Sequence, residues 1–223
     1  MRDATWPEVD AREKRAALSL AVVLTIAASA IPSWVVVTEA WRADWLGLQS
    51  VPWPVVRSFV LLALGLLLVL PTRERSGLRI GRLREHWRGV LLVCGATVLA
   101  TALVYPLLPV RPFGRAHASM WAVSPLAQEL VFSGFIYGYL ESRFPEYLHP
   151  RVRIRWALLI TTILFGLWHA PSFLTTSAGY VWFQIFYTGV LGIVPALSRQ
   201  WTGSILPTVL CHTAVNFIAW SAG

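Results

Sequence analysis

One carboxylate, two imidazoles and a carboxamide stand in stretches of this chain that are otherwise almost wholly apolar. Glu129 lies beside Gln128 in Ser-Pro-Leu-Ala-Gln-Glu-Leu-Val-Phe-Ser, His169 closes Phe-Gly-Leu-Trp-His, and His212 and Asn216 share His-Thr-Ala-Val-Asn. Burying an ionisable side chain in hydrocarbon costs on the order of 3 kcal/mol unless it is partnered or useful. A carboxylate beside an imidazole activates water as a general base, and a second imidazole with a carboxamide holds an oxyanion. This division gives the water to Glu129 and His169 and the oxyanion to His212 and Asn216, which is hydrolytic chemistry. His212 and Asn216, four residues apart, share one helix face, and so do Phe165 and His169. Ser133 sits one turn past Glu129, but no nucleophile elbow surrounds it. Glu129, His169 and His212 also match a known zinc ligand set, although the H-E-x-x-H pattern is absent. The expectation is therefore no metal and no other cofactor, with zinc as the alternative.

The elements that position these groups follow from composition. Only 13% of the 223 residues are charged and 56% are hydrophobic, whereas a soluble domain carries about 25% charge. That excludes a soluble globule, disorder, collagen and coiled coil. Apolar runs fall at about 17–39, 51–70, 89–110, 119–140, 156–174, 180–197 and 204–221, most near the roughly 20 residues that cross a bilayer. The fold class expected is all-α, a polytopic transmembrane helix bundle of about seven spans. At about 1.5 Å per residue, Glu129 lies roughly 15 Å from the outer start of its span, and His212 and His169 roughly 12 and 20 Å from the inner starts of theirs. All three reach the middle of a core about 30 Å thick.

Most of the 19 basic residues fall in alternate connections: the tail 1–16, the segment from Arg73 to Arg88, the segment from Arg143 to Arg155, and Arg199. Arg42, Arg57, Arg111 and Arg115 are left for the other side, with Arg57 close enough to a helix end to snorkel. This alternation predicts a cytoplasmic N-terminal tail over 1–16, one transmembrane domain over 17–223, and the C-terminus outside. It also makes the net charge of +8 a topology signal, and no nucleic-acid partner is expected. Pro171 and Gly179 mark 171–180 as the segment most prone to bend or re-enter. Trp41, Trp45, Trp53, Trp87, Trp156 and Trp201 stand at span ends as interfacial anchors, and His86, His117 and His149 read as loop residues. Cys94 and Cys211 lie within apolar runs and read as small buried hydrophobes.

The order and spacing of the three polar motifs resemble those of the CAAX-protease and bacteriocin-processing family, the Abi or Rce1-like intramembrane proteases. The family pattern is E-E-x-x-x-R, then F-x-x-x-H, then H-x-x-x-N or H-x-x-x-D. Phe165 to His169 and His212 to Asn216 match the last two motifs intact. The first reads Gln128-Glu129-Leu130-Val131-Phe132-Ser133, with glutamine at the first glutamate and serine at the arginine. The resemblance implies a protease-like core at about 119–220 and a glutamic-type endopeptidase that cuts a membrane-anchored or lipidated protein near its C-terminus. It gives the same roles to His169, His212 and Asn216 as the chemistry above, and sets Gln128 and Phe165 against the substrate. A glutamine accepts no proton as a base, so position 128 carries a substitution, the protein is a non-catalytic member, or Glu129 takes over from the adjacent position. Adjacent helical residues point about 100° apart, so this needs a rotated or bent helix, for which Pro125 offers a cause.

A catalytically silent peptide-binding membrane protein, serving immunity or scaffolding, is the alternative from another class. A proton-coupled transporter is less favoured, because no internal repeat is evident. The partners expected are a membrane-anchored protein or peptide and the lipid bilayer. The arginine-rich, nearly lysine-free composition points to a bacterial inner membrane.

Overall fold

The computed structural model describes residues 9–37, 53–107, 122–148, 151, 153–174 and 177–221. Among them the regular structure is helical, with no strand beyond an isolated bridge between Tyr147 and Arg155. In chain order come α1 (Ala11–Val37), α2 (Trp53–Val69) and α3 (Leu83–Val104). A composite rod follows, made of α4 (Val123–Glu129), a π turn (Leu130–Ile136) and α5 (Tyr137–Glu141). Next is α6 (Trp156–Leu167), with a 3-10 turn (Ala170–Leu174) beyond it. A second composite rod joins α7 (Ala178–Phe186), a π turn (Tyr187–Leu191) and α8 (Ile193–Thr202), and α9 (Leu206–Ser221) ends the described chain.

Three stretches are long and apolar enough to cross a membrane by length and composition: Leu83–Leu107, Trp156–Leu174 and Ala178–Thr202. Val55–Val69 and Leu206–Ala219 are shorter apolar helices. Leucines on the outside suit lipid: Leu67, Leu92 and Leu103 are more than half exposed, while hydroxyls turn inward. Thr97, Thr101, Thr161, Thr162 and Thr202 each donate to the carbonyl four residues back, so their polar groups are satisfied within their own helices.

Several helices run past the apolar stretches that mark them in the sequence. α1 begins at Ala11 instead of 17, and α3 at Leu83 instead of 89, so His86, expected in a loop, lies in the first turn of α3. Apolar content marks what hydrocarbon tolerates, and a helix continues beyond it wherever its backbone stays hydrogen-bonded. His117 and His149 lie outside the described residues, as do Trp41 and Trp45. At 171–180 the chain leaves α6 through the 3-10 turn and resumes as α7 at Ala178.

The four basic segments meet at one end of the bundle. Lys14 pairs with Glu146 at 2.5 Å and Arg143 with Glu13 at 3.7 Å, tying α1 to the connection after α5. Gln200 donates to the Arg153 carbonyl at 2.7 Å and accepts from the Arg155 amide at 3.0 Å. The Arg82 amide donates to the Thr202 carbonyl at 2.7 Å, and the Ile205 amide to that of Gly77 at 2.9 Å. Trp87, Trp156 and Trp201 stand at this same end, the first two exposed.

Candidate active site

The cavity of about 190 Å³ inside the bundle is lined by Glu129, His169, His212 and Asn216, together with Gln128 and Phe165. The structure thus brings all six residues singled out in the sequence to one space. It distributes their pairings differently from the expected division, because Glu129 engages His212 and His169 turns to another partner.

Glu129 is buried at the last position of α4, where the wide turn Leu130–Ile136 begins. His212 Nδ1 on α9 lies 2.9 Å from Glu129 Oε1, and Ser133 Oγ donates to Glu129 Oε2. An ionised carboxylate only accepts, so His212 Nδ1 carries the hydrogen and its Nε2 faces away from the pair. Each carboxylate oxygen retains a second lone-pair direction for water. Gln128, next door, donates its amide to Ser124 Oγ at 2.7 Å, within its own helix. Pro125 sits in the first turn of α4, and the departure from the α repeat comes after Glu129, in the π turn, a form that recurs at functional positions.

Ser133, which stands at the motif's arginine position, is fixed from both ends. Its hydroxyl holds Glu129, and its carbonyl accepts from Arg199 Nε at 3.1 Å. Arg199 Nη2 also donates to the Arg75 carbonyl at 2.8 Å, and the guanidinium lies 5.1 Å from the Tyr137 ring centre. Expected as a loop charge, Arg199 is instead 3% exposed in α8. Gly77, with φ +71°, lets the connection after α2 fold against it, since a Cβ there would meet Arg199 Cζ at 2.6 Å. Basic content alone gave this arginine the appearance of a topology signal; its burial depends on contacts distant in sequence.

His169 is placed by α6 and the turn beyond. Its Nδ1 lies 3.1 Å from the Phe165 carbonyl, an acceptor, which gives Nδ1 the hydrogen and leaves Nε2 as an acceptor. Thr188 Oγ1 approaches the same nitrogen at 3.4 Å from the second π turn while donating to the Gln184 carbonyl at 2.8 Å. Phe165 presents edge contacts to His169 at 5.5 Å, His212 at 5.7 Å and Phe132 at 5.0 Å, so its ring spaces the two imidazoles. Behind them, α6 and the second π turn touch through glycine. A Cβ on Gly166 would come within 2.7 Å of the Ile185 carbonyl oxygen and 3.1 Å of Gly189 Cα.

Sequence reasoning passed over Thr188 and read Arg57 as a snorkelling helix-end charge. Arg57 instead lines the cavity, its guanidinium 5.1 Å from the Trp168 ring centre. Its position within an apolar run was the available signal. Among the described residues no three His, Cys, Asp or Glu side chains are gathered to hold a metal ion. Cys94 and Cys211 are free, with the Cys94 thiol 3.8 Å from the Pro207 carbonyl and Cys211 on the cavity wall.

Residues 112–218 match the family model described as type II CAAX prenyl endopeptidase Rce1-like, a protease family, and all three motifs fall within that segment. No curated protein and no solved structure matches the chain.

Proposed function

From an Rce1-like segment in a helical membrane protein, we propose that this chain is an intramembrane glutamic-type endopeptidase that cuts a membrane-anchored or lipidated protein near its C-terminus. The observation that carries the reading is the Glu129–His212 pair opening on the cavity that His169 also lines.

In this reading a water sits between the free lone pair of Glu129 and the acceptor Nε2 of His169. Glu129 takes its proton as the oxygen attacks the scissile carbonyl, and His169 orients the water. The developing oxyanion is met by the Asn216 amide, with the His212 ring beside it on the same face of α9. The proton held by Glu129 then passes to the departing amine, and the peptide bond breaks. Neither a metal nor any other cofactor enters these steps. The other parts of the reading are seven membrane spans in one domain, a cytoplasmic N-terminus, and a bacterial inner membrane. Interleaved basic connections, gathered at one end of the bundle, support that orientation.

The test is a mass-spectrometric survey of new protein termini in membranes expressing this chain, Glu129→Ala or Gln128→Glu at matched abundance. C-terminal cleavages that vanish with Glu129→Ala are expected. Cleavage seen only with Gln128→Glu would move the base to position 128, and identical termini in all three would favour a peptide-binding protein without catalysis.

A further inference from the structure

The wall that carries His169 also holds two hydrogen-bond donors that the water chemistry leaves unused. Arg57 brings a guanidinium to the cavity, and none of the carboxylates paired among the described residues is paired with it. Beneath it, Trp168 is 4% exposed, and its indole N–H has no acceptor among the described residues. Glu129 is the one carboxylate among the described residues that line the cavity, and it is engaged by His212 and Ser133. A buried N–H with no acceptor among the described residues, beside a guanidinium with no carboxylate partner among them, is costly unless an acceptor arrives with the ligand.

We propose that Arg57 and Trp168 Nε1 form the seat for the free C-terminal carboxylate of the peptide being cut, an inference that rests on the endopeptidase reading. A guanidinium presents parallel N–H groups that match a planar carboxylate in two-point contact, and the indole N–H adds a further donor. Spacing favours a chain terminus. The Trp168 ring centre lies 4.9 Å from that of His169, and Arg57 Cζ lies 5.1 Å from the Trp168 ring. An extended peptide advances about 3.3–3.6 Å per residue. Arg57 Cζ therefore lies within about 10 Å of the His169 ring, so a carboxylate on Arg57 stands no more than about three residues from a carbonyl beside His169, and the enzyme measures its cut from the end of the chain. The phosphate of an anionic lipid headgroup offers the same oxygens, and the experiment separates the two sources.

The full-length chain in phosphatidylcholine nanodiscs is given two fluorescent prenyl-cysteine peptides, identical except that one ends in a free acid and the other in an amide. Binding is followed by anisotropy and cleavage by mass spectrometry. The wild type is expected to bind the acid about tenfold to a hundredfold more tightly than the amide. Arg57→Gln brings the acid down to the level of the amide, and Trp168→Phe, which keeps a ring but removes the N–H, narrows the preference. Equal binding of acid and amide by the wild type overturns the proposal, as does an Arg57→Gln protein that weakens both alike. An acid preference with no cleavage of either peptide upholds the seat and removes the endopeptidase reading. Loss of the preference when phosphatidylglycerol replaces part of the lipid assigns the site to a headgroup and overturns the carboxylate.

Discussion

Glu129 and His169 face one cavity but are held by different means. The carboxylate is reached by hydrogen bonds from α9 through His212 and from its own rod through Ser133, whose carbonyl Arg199 grips from α8. The imidazole makes one close bond to the Phe165 carbonyl, is approached by Thr188 Oγ1 at 3.4 Å, and packs against the rings of Phe165 at 5.5 Å and Trp168 at 4.9 Å. Two hydrogen bonds from other side chains fix the carboxylate, while the imidazole has one close bond, to the backbone of its own helix, and rests more on packing. The carboxylate half is therefore expected to be sensitive to loss of a donor, and the imidazole half to loss of shape.

Glu129→Gln gives the largest effect. It keeps size and hydrogen-bonding capacity but no longer takes a proton, so cleavage falls about a hundredfold to ten-thousandfold. Should Glu129→Gln retain most of its activity, the carboxylate half is structural only. Removing the second imidazole comes next. His212→Ala leaves the Glu129 carboxylate without its α9 partner, so it lowers the melting temperature as well as the rate, at a cost of about 1–3 kcal/mol. His169→Ala lowers the rate with a smaller thermal shift, and equal shifts would erase the distinction drawn between the halves.

Ser133→Ala and Phe165→Leu sharpen the contrast from opposite sides. The first deletes one donor to the buried Glu129 and is expected to reduce kcat by about tenfold and to lower the melting temperature, at a cost of about 1–3 kcal/mol. The second keeps apolar volume but removes the ring contacts, worth about 0.5–1.5 kcal/mol each. It raises KM and lowers thermal stability together. At the distant basic end the smallest effect is expected. Partial burial pushes the Glu146 carboxyl up, but Lys14 beside it holds it below the usual carboxylate range. Its contribution is present above the ordinary glutamate pKa and fades as pH falls through the lowered value. Lys14→Ala removes it, changing stability by less than about 1 kcal/mol because both side chains are substantially exposed. Melting curves at pH 7 and pH 3 measure the difference.

The polar residues buried within apolar runs were legible in the sequence because hydrocarbon makes them conspicuous, and all four chemical groups named there line the cavity. The helical class and the meeting of the basic connections at one end were legible for the same reason, in reverse. The pairing among the groups was not. Whether Glu129 meets His169 or His212 depends on rotation of the rod about its axis, which neither composition nor motif spacing records. Arg199 was hidden more thoroughly, since a buried arginine and a loop arginine are the same letter, and its partners Ser133 and Arg75 lie 66 and 124 positions away.

The contact between Gly166 and Gly189 sets the distance from α6 to the second composite rod, and with it the reach of Thr188 to His169. That spacer consists of missing atoms. Backbone against backbone leaves no side chain to change rotamer, so the seam has a single thickness and cannot be tuned by degrees. Saturation mutagenesis at position 166 is then all or nothing: even alanine forces the rods apart, and no second substitution elsewhere can supply the space that a methyl group has taken.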